Sequence, residues 1–159
     1  MAMNAARMAG EWFSPLTKKD STSHLIEKIQ LERSPEERIQ ALKELGNRRD
    51  YSAIGSLMNC CHDKDPEIRR SAIVGLQHLR SGRAVSVLVD RLLDKDELPE
   101  IRRGAAGALA AIRSYRAVQE LRSRYADRDE DRALRLFIGR ELDRAQNLVS
   151  PAPGPVLSH

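Results

Sequence analysis

The sequence predicts an all-α protein, a short right-handed α-solenoid of about four stacked helical hairpins. Three observations predict this fold. Pro35, Pro66 and Pro99 are spaced by 31 and 33 residues, and so regular a spacing indicates an internal repeat. Apolar residues recur at the spacing of one helix face, and no segment alternates as a strand does. Aromatic residues make up only 4% of the 159 residues, so the core must be aliphatic.

The first helix of each repeat begins at its proline. Residues 35–45, 66–76 and 99–109 align without gaps, and a degenerate fourth copy follows without a proline. Because the same columns recur in each copy, we expect them to occupy equivalent places in a stack. The recurrent residues are Arg38, Arg69, Arg102 and Arg135, then Ala41, Ala72 and Ala105, then Leu45, Leu76, Leu109 and Leu142.

Capping residues mark where these first helices start. Ser34 precedes Pro35, and Glu37 follows three residues after Ser34, which is the pattern of a capping box with proline at the first helical position. Asp65 precedes Pro66 in the same way. We therefore expect a helix N-terminus at each of these prolines.

A second helix follows in each repeat, with start signals at Asp50, Ser81 and Ser114. A pair of helices of this length cannot bury its apolar face alone, so neighbouring pairs must stack. The predicted buried columns of the second helices are Val85, Leu88, Val89 and Leu92; Ile54, Leu57, Met58 and Cys61; and Val118, Leu121 and Tyr125.

Three regions are expected along the chain. Residues 1–19 form an N-terminal arm in which Trp12 and Phe13 either cap the first repeat or anchor a partner. Residues 20–144 form the solenoid, and residues 145–159 form a disordered proline-rich tail. The solenoid is expected to open with a capping helix whose apolar residues are Leu25, Ile26 and Ile29.

The second repeat carries a family resemblance. Residues 65–76 followed by 82–96 resemble a HEAT-like repeat of the phycobilin-lyase type. This resemblance implies the solenoid fold over roughly residues 34–144. The family includes phycobilin lyase subunits, which attach or detach a chromophore together with a second subunit, and many proteins that only bind other proteins. A shared fold does not by itself transfer a function.

Reactive residues are few. The run from Cys60 to Asp63 is the only one that resembles a metal or nucleophile site, but zinc sites draw ligands from at least two segments and no second cysteine pair exists. The repeat register places Cys61 in the core and Cys60 towards solvent. No histidine has the companions that nucleophilic catalysis needs, and no glycine-rich phosphate loop follows a strand. We therefore expect no catalysis, no metal and no cofactor.

The function predicted is protein binding by a scaffold, adaptor or regulatory subunit. The recurrent arginines are expected to bond acidic groups or carbonyls of the adjacent repeat. The second helices are expected to line the concave face, and their columns that vary between repeats would contact the partner. These predicted partner-binding residues are Ser56, Val87 and Glu120; Asn59, Asp90 and Ser123; and Cys60, Arg91 and Arg124.

Charge indicates the kind of partner. Residues 66–125 contain 12 basic and 7 acidic residues, while the rest of the chain is nearly neutral. This excess favours an acidic protein surface. Nucleic acid is a less favoured partner, because basic residues alternate with acidic ones, as in residues 127–132. A bilin-lyase-like subunit is the enzymatic alternative, for which Arg91, Arg124 and Val87 would supply part of a tetrapyrrole site.

The remaining expectations concern location and assembly. No apolar run is long enough to cross a membrane, and residues 1–15 lack the apolar block of a secretory signal. Adjacent cysteines cannot staple distant segments, which agrees with a reducing compartment. A cytoplasmic protein is therefore expected, and a second copy could cover the solenoid ends to form a homo-oligomer.

Overall fold

The computed structural model describes residues 21–31 and 34–147. Within these ranges the chain is all α-helical and contains no strand, which confirms the predicted fold class. Short 3-10 turns at Tyr51–Ala53 and Gly82–Ala84 lead into two of the helices. The helices are α1 (Thr22–Leu31), α2 (Pro35–Arg48), α3 (Ile54–Cys60), α4 (Pro66–Leu79), α5 (Val85–Leu93), α6 (Pro99–Ile112), α7 (Tyr115–Ala126) and α8 (Arg132–Asn147).

The helices stack in two layers. The first layer contains α2, α4, α6 and α8, and each packs against the next. The second layer contains α1, α3, α5 and α7, and each packs against the first-layer helix that follows it in the chain. The hairpins α2–α3, α4–α5 and α6–α7 are complete repeats. The helix α1 takes the place of a second helix before the first repeat, and α8 takes that of a first helix after the third.

The helix starts predicted at Pro35, Pro66 and Pro99 are confirmed, but one predicted capping bond is not formed. Asp65 accepts a hydrogen bond from the backbone N–H of Glu67, and Ser114 accepts one from that of Ala117. Each bond satisfies a backbone donor that the first helical turn leaves unpaired. The hydroxyl of Ser34 makes no such capping bond and donates instead to the carboxylate of Glu36. The predicted capping role of the Ser34 side chain is therefore wrong.

An aliphatic core runs the length of the stack. The recurrent alanine and leucine columns of the first helices are buried, and so is the second-helix column Val85, Leu88, Val89 and Leu92. In α1, Leu25 and Ile29 are buried against this core, as predicted for a capping helix. The prediction fails for Tyr125, which is exposed. Its ring lies beside Gly139 of α8, where a Cβ would come within 2.8 Å of the ring.

First-layer helices approach each other more closely than second-layer helices do. A Cβ on Gly46 would lie 2.8 Å from the Cα of Gly75, so α2 and α4 touch backbone to backbone. Contacts between neighbouring second-layer helices are far less extensive. The position of the second helices on the concave face stays a prediction.

Three first-layer helices end in the same unusual way. The residue after each of α2, α4 and α6 is an arginine in the left-handed conformation: Arg49, Arg80 and Arg113, with φ of 53°, 50° and 57°. Glycine or asparagine normally occupies this position. The left-handed conformation costs a residue with a Cβ about 1–2 kcal/mol of stability. The interaction of a cation with the helix dipole at a C-terminus offsets only about 0.3–1 kcal/mol of that cost.

The helix α8 extends to Asn147, three residues beyond the predicted end of the solenoid. The predicted arm with Trp12 and Phe13 and the predicted proline-rich tail lie outside the described residues, apart from the start of the tail in α8.

Candidate functional site

The recurrent arginines tie each repeat to its neighbours, as predicted. Arg38 donates to the carbonyl of Ile29 at the end of α1, Arg102 to that of Leu92 in α5, and Arg135 to that of Tyr125 in α7. These bonds satisfy carbonyls that a helix C-terminus leaves unpaired. Arg38, Arg69 and Arg102 also reach forward, each to a carboxylate in the next turn between repeats.

The turn of residues 94–98 shows the fullest version of this contact. Arg69 of α4 donates to both oxygens of Glu97, at 2.7 Å each. Arg91 of α5 lies 3.2 Å from the same carboxylate and 3.3 Å from Asp94. The side chain of Glu97 is only 1% exposed. Two arginines and two carboxylates therefore form a charge-balanced cluster around one buried glutamate.

The turn of residues 127–131 repeats the arrangement. Arg102 of α6 donates to Glu130 at 2.7 Å. Arg124 of α7 lies 2.9 Å from Asp127 and 3.6 Å from Glu130. The side chain of Glu130 is 2% exposed. The equivalence of Arg91 with Arg124 shows that this column is part of the junction between repeats.

The turn of residues 61–65 is simpler. Arg38 donates to Asp63 at 2.6 Å, and Cys60 occupies the place of the second arginine. A cavity of about 240 Å³ lies here, lined by Ile29, Gln30, Arg38, Ser56, Asn59, Cys60 and Asp63. The ion pair at this turn joins one arginine to one carboxylate, so its charges also balance.

The unequal proline spacing has a structural cause. Asp63 lies three residues before Pro66, whereas Asp94 lies five residues before Pro99. The first two of these turns share one start: Asp63 and Asp94 each accept a hydrogen bond from the backbone N–H two residues on. The two extra residues supply Glu97. Without them Arg38 pairs directly with Asp63.

The arginines keep the junction carboxylates ionised. Burial opposes ionisation of Glu97, but the hydrogen bonds from Arg69, the Leu98 N–H and Arg91 outweigh it and lower the pKa of Glu97. Burial likewise opposes ionisation of Glu130, and bonds from Arg102 and the Asp131 N–H lower its pKa. These carboxylates thus remain charged at neutral pH.

Both cysteines lie in the core. Cys61 is fully buried, as predicted, but Cys60 is buried too, because it faces Arg38 at the junction and not solvent. Burial raises the pKa of Cys60, with Asp63 adding to the effect and Arg38 opposing it. Burial raises the pKa of Cys61 to about 12. Among the described residues, no group of three or more His, Cys, Asp and Glu side chains could hold a metal ion.

The predicted partner-binding residues divide into three groups. Asn59, Asp90 and Ser123 are exposed, and Ser56 and Glu120 are half-buried. Their role as a partner surface stays a prediction.

Four of the nine predicted partner-binding residues are not exposed to a partner as predicted. Val87 and Cys60 are buried and belong to the hydrophobic core. Arg91 and Arg124 are 18% and 22% exposed and are used in the junction clusters. The predicted exposure of these columns is wrong. The same three residues, Val87, Arg91 and Arg124, were those expected to supply a tetrapyrrole site.

A surface that the repeat register did not single out lies on the first layer. Lys43, Val74, Gly107 and Arg140 occupy equivalent positions on α2, α4, α6 and α8. Val74 is exposed, and the two basic residues are exposed at the ends of this row. The missing side chain at Gly107 was the sequence signal for a gap in the row.

The gap is a groove over α6. A Cβ on Gly107 would lie 3.7 Å from the side chain of Phe137 of α8 and 3.8 Å from that of Gln77 of α4, so these two side chains flank the glycine. The half-buried Ala111 continues the floor one turn on. The groove has a volume of about 200 Å³ and is lined by Gln77, Arg80, Gly107, Ala110, Ala111, Arg113, Glu141, Arg144 and Ala145.

The fold and its junctions define an all-α repeat solenoid. Comparison with known families identifies the repeat: the family model described as HEAT repeats matches residues 22–97, so the chain carries HEAT repeats. The matches establish HEAT repeats, and the phycobilin-lyase type stays a prediction.

A solved structure with a similar fold is that of human deoxyhypusine hydroxylase in complex with glycerol. It shares 26% sequence identity with this chain, with a TM-score of 0.70. The match covers 80% of this chain and 44% of that one, so this chain spans less than half the length of that protein. The comparison with curated proteins gave no match. None of the described helices is long and apolar enough to cross a membrane.

Proposed function

We propose that this protein is a non-catalytic HEAT-repeat scaffold that binds another protein on its first-layer face. The observation that carries the proposal is the groove over α6, a recess of about 200 Å³. Protein interfaces combine an apolar centre with a polar rim. The small residues Gly107, Ala110 and Ala111 supply the apolar part of the lining, and the charged residues of the lining are Arg80, Arg113, Glu141 and Arg144.

The partner would present an acidic surface with a small apolar side chain at its centre. Lys43 and Arg140 lie at the two ends of the row, and the chain as a whole carries a net charge of +4. Basic residues at a rim accelerate association with an acidic partner. The groove is smaller than the roughly 300–1,000 Å³ typical of small-molecule sites, which favours one inserted side chain over a free ligand.

An enzymatic role receives less support. The structural neighbour is a hydroxylase by its description, but this chain covers under half of it. In the described residues we find no group of donors suited to a metal ion. The residues considered for a tetrapyrrole are buried or ion-paired. The scaffold therefore remains the favoured function, and the predicted second-layer surface is its competitor within the same class.

The test is affinity capture with variants of the groove, with captured proteins quantified by mass spectrometry. Gly107→Glu fills the groove and adds a negative charge, so we expect it to lose the partner. Gly107→Ala is the matched control, because its Cβ would make only ordinary contacts, and alanine strengthens a helix by roughly 0.5–1 kcal/mol relative to glycine. The control should retain the partner.

A second variant tests the competing surface. Replacing Asn59, Asp90 and Ser123 together by alanine changes the exposed column of the second layer. If this variant loses the partner while Gly107→Glu retains it, the binding face is the one that the sequence predicted. If neither Gly107→Glu nor the triple alanine variant changes the set of captured proteins, the scaffold proposal is contradicted.

A further inference from the structure

The turns inside the repeats concentrate positive charge along one edge of the solenoid. These turns, residues 48–51, 80–83 and 113–116, join each first helix to its second helix. Together they contain six arginines and a single acidic residue, Asp50. The carboxylate of Asp50 accepts hydrogen bonds from Thr22 and Ser52. We call this the arginine edge.

Most arginines of this edge are not used inside the fold. Arg48 pairs with Glu44, but the other five take part in none of the ion pairs formed among residues 21–31 and 34–147. The junction arginines differ in this respect, because each has a carboxylate partner. The unused five are Arg49, Arg80, Arg83, Arg113 and Arg116, and all five are exposed.

Three of these arginines stand in a strained conformation that their backbone role does not explain. Arg49, Arg80 and Arg113 cap their helices through backbone N–H groups alone, to the carbonyls of Gly46, Leu76 and Leu109. Glycine would make the same bonds without strain. An unfavourable backbone conformation that recurs at an exposed position points to a use for the side chain outside the fold.

Two tyrosines lie on the same edge. Tyr51 and Tyr115 are 63% and 81% exposed, and they occupy equivalent positions in the first and third turns. Gly82 stands at that position in the second turn. Neighbouring helices in a layer lie about 8–10 Å apart, so the two tyrosines are separated by roughly 20 Å with arginines between them.

We propose that the arginine edge binds single-stranded nucleic acid, with guanidinium groups on the phosphates and the tyrosine rings stacked on bases. A positive surface interleaved with exposed aromatic rings is the arrangement that single-strand binding uses. The edge lacks the apolar centre of a protein interface. Arg80 and Arg113 also line the groove over α6, whereas Arg49, Arg83, Arg116 and the two tyrosines of the edge do not.

The sequence placed nucleic acid among the less favoured partners because acidic residues alternate with basic ones along the chain. The fold separates them. Acidic residues of the turns between repeats gather at the opposite ends of the helices, where Asp63, Glu97 and Glu130 are paired with arginines. The other edge therefore carries five arginines that enter none of the ion pairs among the described residues.

The test is fluorescence polarisation of a labelled oligonucleotide of about twenty uridines with the full chain, over a range of salt concentrations. Five phosphate contacts predict a slope of log affinity against log salt of roughly −2 to −4. Changing Arg49, Arg80 and Arg113 together to glycine should weaken binding about tenfold or more and reduce the slope by about 2. The melting temperature of this variant should not fall, because glycine relieves the strain.

A charge-matched control separates a specific edge from general attraction. Arg103, Arg122 and Arg132 are exposed, lie away from the arginine edge and enter none of the ion pairs within the described ranges. Replacing these three by alanine lowers the net charge equally. Binding should be retained; an equal loss would overturn the proposal.

The tyrosines test the stacking component. Replacing Tyr51 and Tyr115 by alanine should weaken binding of the single strand about thirtyfold or more and leave the salt slope unchanged. Equal binding of duplex and single strand, with no effect of the tyrosine variant, would contradict the stacking role. If a polyglutamate peptide binds the edge and the oligonucleotide does not, the edge recognises acidic protein and the proposal fails.

Discussion

The first junction between repeats differs from the two that follow it. At residues 61–65 one arginine meets one carboxylate beside a cavity of about 240 Å³. At residues 94–98 and 127–131 two arginines surround a buried glutamate. The two differences occur together, because the first junction lacks both the buried glutamate and the second arginine. Charge balance is kept at every junction, because a buried charge without a partner is strongly destabilising.

The largest effect is expected from removing the buried glutamate. Glu97→Ala leaves Arg69 and Arg91 without their shared partner and should lower the free energy of unfolding by about 2–4 kcal/mol. Asp63→Ala removes the partner of a single arginine and should cost less, about 1–2 kcal/mol. Urea unfolding followed by circular dichroism measures both values.

Asp96→Ala is the matched control, because Asp96 lies in the same turn as Glu97 but is exposed. Its stability should stay within about 0.5 kcal/mol of the wild type. Equal losses for Glu97→Ala and Asp63→Ala would show that the two kinds of junction are energetically equivalent, against the comparison drawn above.

The second arginine of the junction should have a smaller effect. Arg91→Met keeps most of the apolar stem but removes the ion pairs to Glu97 and Asp94, so we expect a loss of about 1–2 kcal/mol. Arg70→Met is the control, since Arg70 pairs only with Glu67 on an exposed helix face, and such pairs contribute about 0.3–0.5 kcal/mol. An unchanged stability of Arg91→Met would agree with the exposed position that the sequence predicted for Arg91 and would remove Arg91 from the junction.

The repeat and its register could be predicted because they depend on local rules. Proline at the first helical position, caps such as Asp65 and helical spacing of apolar residues are all visible in the chain. The roles of the Arg38 column were predictable for a related reason: a charged residue that recurs in every copy has the same neighbour in every copy.

The junction partners could not be predicted, because they depend on contacts between residues 28 positions apart. Arg69 to Glu97 and Arg102 to Glu130 both have this separation. The available sequence signal was the length of the turn before Pro99. It is two residues longer than the turn before Pro66, and the additional residues supply Glu97. Similarly, the exposure of Cys60 and Arg91 was assigned from helical position alone, without the turn that folds over them.

Acid should weaken the second and third junctions more than the first. The folded pKa of Glu97 lies below its ordinary value of 4.5, so its stabilising contribution is fully present above that value and is lost as pH falls through the folded pKa. Wild-type stability should therefore decline below about pH 4.5. In Glu97→Gln the decline should be shallower. Urea midpoints at several pH values between 7 and 3 measure the difference, and parallel curves for the two proteins would contradict the role of Glu97.

The smallest effect concerns the thiols, and it distinguishes the open first junction from the closed core beside it. Cys60 borders the cavity, and Arg38 partly offsets the effect of burial on its pKa, whereas burial raises the pKa of Cys61 to about 12. Because only the thiolate reacts, iodoacetamide at pH 8 should label Cys60 faster than Cys61 in the folded protein. Cys60→Ser and Cys61→Ser variants, followed by mass spectrometry, assign each rate. In urea the two rates should become equal, since unfolding removes both the cavity and the burial. If Cys61 reacts as fast as Cys60 in the folded protein, the first junction opens as a whole, and its single ion pair then holds the repeats less firmly than the clusters around Glu97 and Glu130.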